Sequence, residues 1–256
     1  MGILEGKSIL VTGVTMNTSI AYEVARVAQA EGATVVVSNF GRALSLTRRI
    51  VQRLDPVPPV IELDVTDADH LAGITDELSH HVDQLDGIVH SIAYANPETA
   101  LGGNFLSTGW DDVATSLQVS AYSLVSLTTA CQPMFGDTAS VVGLTFDATV
   151  SWPAYDWMGV SKAALESASR YLARYLGPAG VRSNLVAAGP LETIAKKAIP
   201  GANTFNEVWA ERAPLGWSPT DMEPTARAVV ALLSDFFPMT TGEIIHVDGG
   251  LHATGA

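Results

Sequence analysis

The sequence predicts a single α/β domain spanning residues 1–256, a doubly wound parallel sheet of about seven strands with helices on both faces. Two observations carry this expectation. Short β-branched runs alternate along the chain with longer segments whose apolar residues recur at helical spacing, and the strand runs are continuously apolar, as strands covered on both faces are. Composition agrees: 47% of residues are hydrophobic, only 16% are charged, and 22 of the 256 are glycine. Such a chain can bury one large core and needs many tight turns.

Ser8 to Thr12 forms the first predicted strand, followed by a helix with Ile20, Val24, Val27 and Ala28 on one face. Thr34 to Ser38 is the second strand. Pro56, Pro58 and Pro59 supply a turn before the third, Val60 to Asp64. Gly87 to Ser91 and Ser140 to Leu144 are the fourth and fifth strands, separated by a long helical region. A helix with Leu165, Ala168, Leu172 and Tyr175 on one face leads to a sixth strand, Arg182 to Ala187. A helix near Thr225 to Leu233 and a last strand, Glu243 to Val247, complete a Rossmann-type βαβ alternation. The least regular stretch, Pro190 to Pro219, follows the carboxyl end of the sixth strand. Its scattered Ile194, Ile199, Phe205, Val208 and Trp209 suit a substrate-covering lid at about 190–219.

Several function classes fall away. A net charge of −13 with no basic patch disfavours duplex nucleic acid as a partner. Val113 to Gly136 holds 24 uncharged residues, enough to span a bilayer by length. Nine of them are Ser, Thr or Gln, which would be costly against lipid, so the segment is expected as a helix buried between the sheet and a neighbouring subunit. No membrane span is expected. The opening residues MGILEGKSILVT are too interrupted by charge for a signal peptide. Cytoplasmic location is the simplest expectation. The single Cys131 sits among apolar residues and reads as a small buried hydrophobe. His70, His246 and His252 are scattered singly, His80 and His81 mark an exposed helix end, and His90 belongs to a strand, so no metal site is expected.

The first strand runs into Gly13-Val14-Thr15-Met16-Asn17-Thr18-Ser19-Ile20-Ala21, a turn opening onto a helix whose first amides can hold a pyrophosphate. Ser19 can cap that helix or reach a phosphate. After the second strand, where a carboxylate commonly takes the ribose of NAD, residues Gly32 to Leu54 contain no Asp or Glu and four arginines. Arg42 stands just past Ser38-Asn39-Phe40, where a guanidinium could meet a 2′-phosphate, so NADPH remains open beside NADH. Asp64, closing the third strand, and Ser91-Ile92-Ala93, closing the fourth, are expected to face the cofactor cleft, with Asp64 able to accept from an adenine amine.

Between the fifth strand and the following helix lies Phe146-Asp147-Ala148-Thr149-Val150-Ser151-Trp152-Pro153-Ala154-Tyr155-Asp156-Trp157-Met158-Gly159-Val160-Ser161-Lys162. Tyr155 and Lys162 are seven residues apart, nearly two helical turns and about 10 Å of rise, which puts both on one side with a gap a ligand can bridge. An ammonium there can hold ribose hydroxyls and bias a phenol towards donating to a developing oxyanion.

Taken together, the Gly13-x5-Ser19-Ile20-Ala21 turn, Leu63-Asp64-Val65, His90-Ser91-Ile92, Tyr155-x6-Lys162 with Met158, Asn184 to Pro190 and Val247-Asp248-Gly249-Gly250 occur in an order that is highly specific. Over essentially its whole length the chain resembles the enoyl-acyl-carrier-protein reductases of the short-chain dehydrogenase/reductase superfamily, close to their actinobacterial, isoniazid-target-like branch. The resemblance implies NADH-dependent reduction of trans-2-enoyl thioesters of acyl carrier protein or coenzyme A in type II fatty acid synthesis, by a homotetramer. It implies catalytic roles for Tyr155, Lys162 and Phe146, and an acyl pocket lined by Tyr155, Met158 and Ile199. It implies cofactor contacts from Gly13, Ser19, Ile20, Phe40, Asp64, Val65, Ser91, Ile92, Ala93, Lys162, Leu191 and Thr193.

Three positions depart from the family pattern. Ala93 stands where the family usually has glycine, Gly41 replaces an acidic residue that some relatives carry beside Phe40, and the segment from Pro200 to Pro214 is shorter than in the very-long-chain branch. The last departure implies a preference for short or medium acyl chains. Two rival readings share the fold: a 3-oxoacyl or polyketide carbonyl reductase, faintly favoured by Arg42 and Thr145, and a non-catalytic dinucleotide sensor. Carbonyl reductases usually place tyrosine four residues before the lysine, where this chain has Met158.

Overall fold

A computed structural model describes residues 2–255; Met1 and Ala256, the ends of the expected domain, lie outside the described residues. Seven parallel strands form one sheet in the order β3-β2-β1-β4-β5-β6-β7. They are β1 (Ser8–Thr12), β2 (Thr34–Asn39), β3 (Val60–Glu62), β4 (Leu85–His90), β5 (Phe135–Thr145), β6 (Val181–Ala188) and β7 (Ile244–Val247). The helices are α1 (Ile20–Ala30), α2 (Gly41–Ile50), α3 (Ala68–Ser79), α4 (Trp110–Leu117), α5 (Ser123–Cys131), α6 (Asp156–Leu176), α7 (Ile194–Lys197), α8 (Asn203–Arg212) and α9 (Glu223–Leu233).

Strand side chains point to alternate faces, and this divides the core in two. Ile9, Val11, Val35, Val37, Val142 and Leu144 pack with α1 and α9 on one face. Their neighbours Leu10, Val36 and Val141 pack with Ile74 and Leu78 of α3, Leu124 and Leu127 of α5, and Leu165 and Leu172 of α6 on the other. Cys131 is buried within this second layer. Chain direction reverses its spread between β1 and β4, so their carboxyl ends open a crevice at the switch point where an open α/β sheet binds ligands.

Some boundaries differ from expectation, each for a local reason. Strand β5 starts at Phe135 and not at Ser140: Phe135 pairs with Leu85, the register then shifts, and regular pairing resumes at Gly87 with Ser140. The uncharged stretch is therefore not one helix ending at Gly136. It comprises α4, a wide π turn over Gln118–Tyr122, α5 and the start of β5. Strand β3 ends at Glu62, before Asp64, because Asp64 turns its carboxylate back on Thr66 N and Oγ1 at 2.9 and 2.7 Å. Strand β4 ends at His90, one residue before Ser91. The irregular 190–219 stretch contains the short α7 and the ten-residue α8. Among the described residues no helix is long and apolar enough to cross a membrane.

Candidate active site

Gly13 follows β1 with φ +78°, and a Cβ there would lie 2.1 Å from the Ser91 carbonyl oxygen. Only glycine lets the first loop approach the end of β4 this closely. The junction is pinned from below: Thr12 Oγ1 donates to Val89 O at 2.9 Å and accepts from Ser91 N at 3.1 Å. Asn39, buried at the end of β2, donates to Val14 O at 2.9 Å. Ser19 caps α1, its Oγ accepting from Tyr22 N at 3.2 Å and donating to Met16 O at 2.7 Å. Its hydroxyl is thus held at the helix start, where first-turn amides favour an anion. Ile20 packs towards a small cluster of Ala188, buried Leu191, Met222 and Trp217, joining the first loop to the segment after β6. Thr193 caps α7, accepting from Lys196 N at 3.1 Å.

Phe40 is half exposed at the lip of β2, across from Asp64 and buried Val65. No carboxylate directly follows β2 in the chain, but the fold brings one to its end from β3. Glu62, register partner of Asn39, accepts from Gly41 N at 3.3 Å across the start of α2. No local signal marked it, because the pairing of β2 with β3 brings it there.

At the chemical end, Tyr155 stands at the start of α6 between two non-glycine residues with left-handed backbone, Ala154 at φ 61° and Asp156 at φ 42°. Each such residue costs on the order of 1–3 kcal/mol and persists only where its surroundings enforce it. Here the Asp156 carboxylate accepts from Gly103 N at 2.6 Å and Asn104 N at 3.0 Å, and Gly102 N donates to Ala154 O at 3.0 Å. These bonds clamp the loop after β4 over Tyr155. The ring is buried in a cluster with Ala95, Ala100, Leu101 and Met158, against which Phe146 and Ile199 pack. Phe146 meets Tyr155 edge-on at 5.3 Å. Burial pushes the phenol well above its usual range, so it remains a proton-bearing donor.

Lys162, two turns further along α6, is a buried cation and not a surface charge. Its Nζ donates to Leu144 O at 2.8 Å. Burial lowers its pKa to about 8, against which the negative charge of Glu166, one turn on, acts to raise it. Glu166 accepts from Thr145 Oγ1 and Ala148 N, both at 3.3 Å, tying the loop that carries Phe146 to α6. Thr145 therefore points its hydroxyl at Glu166 and at Phe146 O, away from a role as a second donor beside the tyrosine.

His90 is only partly satisfied locally. Ser123 Oγ donates to Val119 O at 2.6 Å, so the 2.7 Å contact to His90 Nε2 has the ring as donor, and Nδ1 is left without a partner. Burial, with the Lys162 charge, lowers this ring to about 3 and keeps it neutral. His246 and His252 are not isolated, as their sequence separation suggested; they stack at 3.9 Å, with His252 Nδ1 3.0 Å from the Asp248 carboxylate.

Thus Gly13, Ser19 and Ile20 follow β1, Phe40 follows β2, Asp64 and Val65 follow β3, Ser91, Ile92 and Ala93 follow β4, and Leu191 and Thr193 follow β6, all beyond the carboxyl ends of the strands, while Tyr155, Met158, Phe146 and Ile199 pack together two turns before Lys162 on α6. The glycine turn at Gly13, the capped start of α1 and the buried cation at Lys162 fit a dinucleotide. The family model described as enoyl-(acyl carrier protein) reductase matches residues 13–252.

The chain belongs to this family.

It is 44% identical to the enoyl-[acyl-carrier-protein] reductase [NADH] of Mycolicibacterium smegmatis, with 97% of each chain covered. The same identity and coverage hold for the enzyme of that name from Mycobacterium avium. The enoyl-[acyl-carrier-protein] reductase [NADH] FabI of Neisseria meningitidis is 37% identical across 98% of this chain and 96% of its own. Family membership extends along both ends of the crevice, since the matched span includes Gly13 and Lys162 alike.

Proposed function

We propose that the protein reduces trans-2-enoyl thioesters, carried on acyl carrier protein or coenzyme A, to saturated acyl thioesters in type II fatty acid synthesis, using NADH. The observation that carries this reading is the buried Tyr155 set two helical turns before a buried Lys162 at the inner end of a dinucleotide crevice. The named activity of these relatives supports both the reaction and the cofactor.

NADH, when bound, supplies a hydride to substrate C3. Lys162, whose Nζ donates one hydrogen bond to Leu144 O, would hold the nicotinamide ribose with its remaining protons. Tyr155 donates a hydrogen bond to the thioester oxygen as the C2=C3 electrons move onto it, stabilising the enolate in a site from which Phe146, Met158 and Ile199 exclude water. A proton returned at C2 completes the saturated product. The thioester oxygen lies three bonds from the hydride-accepting carbon, which suits a donor set back from the position carbonyl reductases use. Phe40, Asp64 and Val65 hold the adenosine, Gly13, Ser19 and Ile20 approach the pyrophosphate, Ser91, Ile92 and Ala93 border the cofactor, and Leu191 and Thr193 flank the nicotinamide. Glu62 favours NADH over NADPH, because a 2′-phosphate would meet its carboxylate at the start of α2.

Residues 190–219 act as the lid. Exposed Trp110, Tyr122, Tyr171 and Tyr175 along α4 to α6 support a homotetramer, to be weighed by sedimentation equilibrium. The enzyme works in the cytoplasm. Loss of reduced-nicotinamide absorbance tests the reaction directly, with an eight-carbon trans-2-enoyl thioester, NADH and NADPH in parallel, and a 3-oxoacyl thioester alongside. Oxidation of NADH by the enoyl substrate alone is expected. Turnover of only the 3-oxo substrate would transfer the assignment to a carbonyl reductase, and silence with both would favour a sensor.

A further inference from the structure

Phe146, which meets Tyr155 edge-on at 5.3 Å, is itself packed among further aromatic side chains. Phe146 lies 5.1 Å from Trp152, 5.7 Å from Phe205 and 5.7 Å from Trp209, centroid to centroid. Trp152 in turn lies 5.2 Å from Trp209 and 6.1 Å from Phe205. Trp152 comes from the turn before α6, and Phe205 and Trp209 come from one face of α8, so the lid and the catalytic loop meet through these rings. The Trp152 indole is fixed by donation of its Nε1 to Asp147 O at 2.6 Å. Phe205 and Trp209 are almost wholly buried, at 4% and 2% exposure, in a cluster with Ala202 and Leu251 against which Ile199 packs.

Beside these rings the surface holds an open cavity of about 260 Å³, lined by Phe146, Trp152, Trp209 and Leu251 together with His246, His252 and exposed Val150. Tyr155 does not line it. Phe146, Trp152 and Trp209 therefore stand between the phenol and this cavity. Across the cleft mouth Pro200 abuts Gly102, where an added Cβ would come within 2.8 Å of the proline ring, so the lid also closes against the loop after β4.

We infer that Trp152 and Phe205 are specificity-determining residues that end the acyl pocket close to Tyr155, restricting the enzyme to short enoyl thioesters. The inference rests on the reading of the crevice as an enoyl thioester site and adds the pocket's length and the residues that set it. Aromatic rings held by two separate elements resist displacement, because an entering chain must disrupt packing on the catalytic loop and on α8 together. Trp152 is the inner stop, since its ring alone among the two also borders the cavity. Replacing it with a smaller apolar residue would join the acyl pocket to that space.

The test measures kcat/KM for four-, eight-, twelve- and sixteen-carbon trans-2-enoyl-CoA with wild type, Trp152→Leu and Phe205→Leu. Wild type is expected to fall by roughly tenfold or more between eight and sixteen carbons, the size of discrimination that pocket shape can impose. Each leucine variant is expected to raise the twelve-to-four-carbon ratio of kcat/KM by roughly tenfold, through KM more than kcat. Wild-type turnover of sixteen carbons matching that of four would overturn the inference while leaving the enoyl reductase reading intact. So would variants that lose activity equally at every length, the signature of a merely structural role. Absence of turnover at any length would remove the reading and the inference together. Thermal unfolding with NADH separates misfolded variants, and Trp152→Phe, which keeps an aromatic ring larger than leucine, provides an intermediate step on the same scale.

Discussion

Along the carboxyl edge of the sheet, the half proposed for the cofactor is shaped mainly by backbone, whereas the half proposed for the acyl chain is shaped by side chains from segments far apart in sequence. Gly13, the Ser19 cap and the loop ends after β1 and β4 follow directly from strand and helix geometry. The proposed acyl half is assembled from Tyr155, Met158, Phe146, Trp152, Ile199, Phe205 and Trp209, drawn from the loop after β5, α6 and residues 190–219. One half can thus be common to many dinucleotide proteins while the other sets the reaction and its substrate. Lys162 and Tyr155 join the two.

The sharpest way to break that comparison is at the junction. Lys162→Ala is expected to weaken NADH binding by roughly a thousandfold, since it removes a buried cation from its partner; titration of NADH fluorescence reads it. Unchanged affinity would detach Lys162 from the cofactor half. Tyr155→Phe should instead leave NADH affinity nearly intact and lower kcat by about 10²- to 10³-fold, the loss of one oxyanion donor. A deficit confined to NADH affinity would move Tyr155 out of the acyl half.

A smaller effect belongs to the cofactor backbone. Gly13→Ala places a methyl group against the Ser91 carbonyl at a left-handed position, and should cost on the order of 1–3 kcal/mol of stability together with cofactor affinity. Thermal unfolding with and without NADH separates the two. A melting curve like that of wild type would show the approach to be less tight than the geometry requires.

Charge at the junction gives a pH-dependent prediction. Lys162 carries its proton below about 8 and loses it above, so NADH binding and kcat/KM should decline as pH rises through that value. The charged and titratable groups acting with it are Glu166 on α6 and neutral His90 from β4. Glu166 raises the lysine, so Glu166→Gln should move the alkaline limb to lower pH by about one unit. A limb that stays in place would reduce Glu166 to its hydrogen bonds with Thr145 and Ala148. The mildest expectation concerns Glu62→Gln, which should raise the NADPH-to-NADH ratio of kcat/KM by about two- to fivefold, as a single charge at a helix start would.

Strands were legible because each is a local run of β-branched residues, and β1 and the start of β2 lie where the sequence places them. Tyr155 and Lys162 were legible too, since seven residues of helix fix their separation whatever surrounds them. The beginning of β5 was not, for its first pairing with Leu85 precedes a shift in register that only the neighbouring strand imposes. Nor was α8 within the lid: its packing face is defined by Phe146 and Trp152, more than fifty residues earlier in the chain.

By itself the amino-acid sequence determined the doubly wound topology, the glycine turn after the first strand and the tyrosine-to-lysine spacing, because periodicity and helical rise act over a few residues. Tertiary structure alone decided that Glu62 would reach the start of α2, that His246 would stack on His252, and that Trp152 and Phe205 would close on Phe146. Those contacts join residues of different strands, loops and lid helices. Their positions follow from how the layers pack, and no local pattern in the chain encodes a distance across the fold.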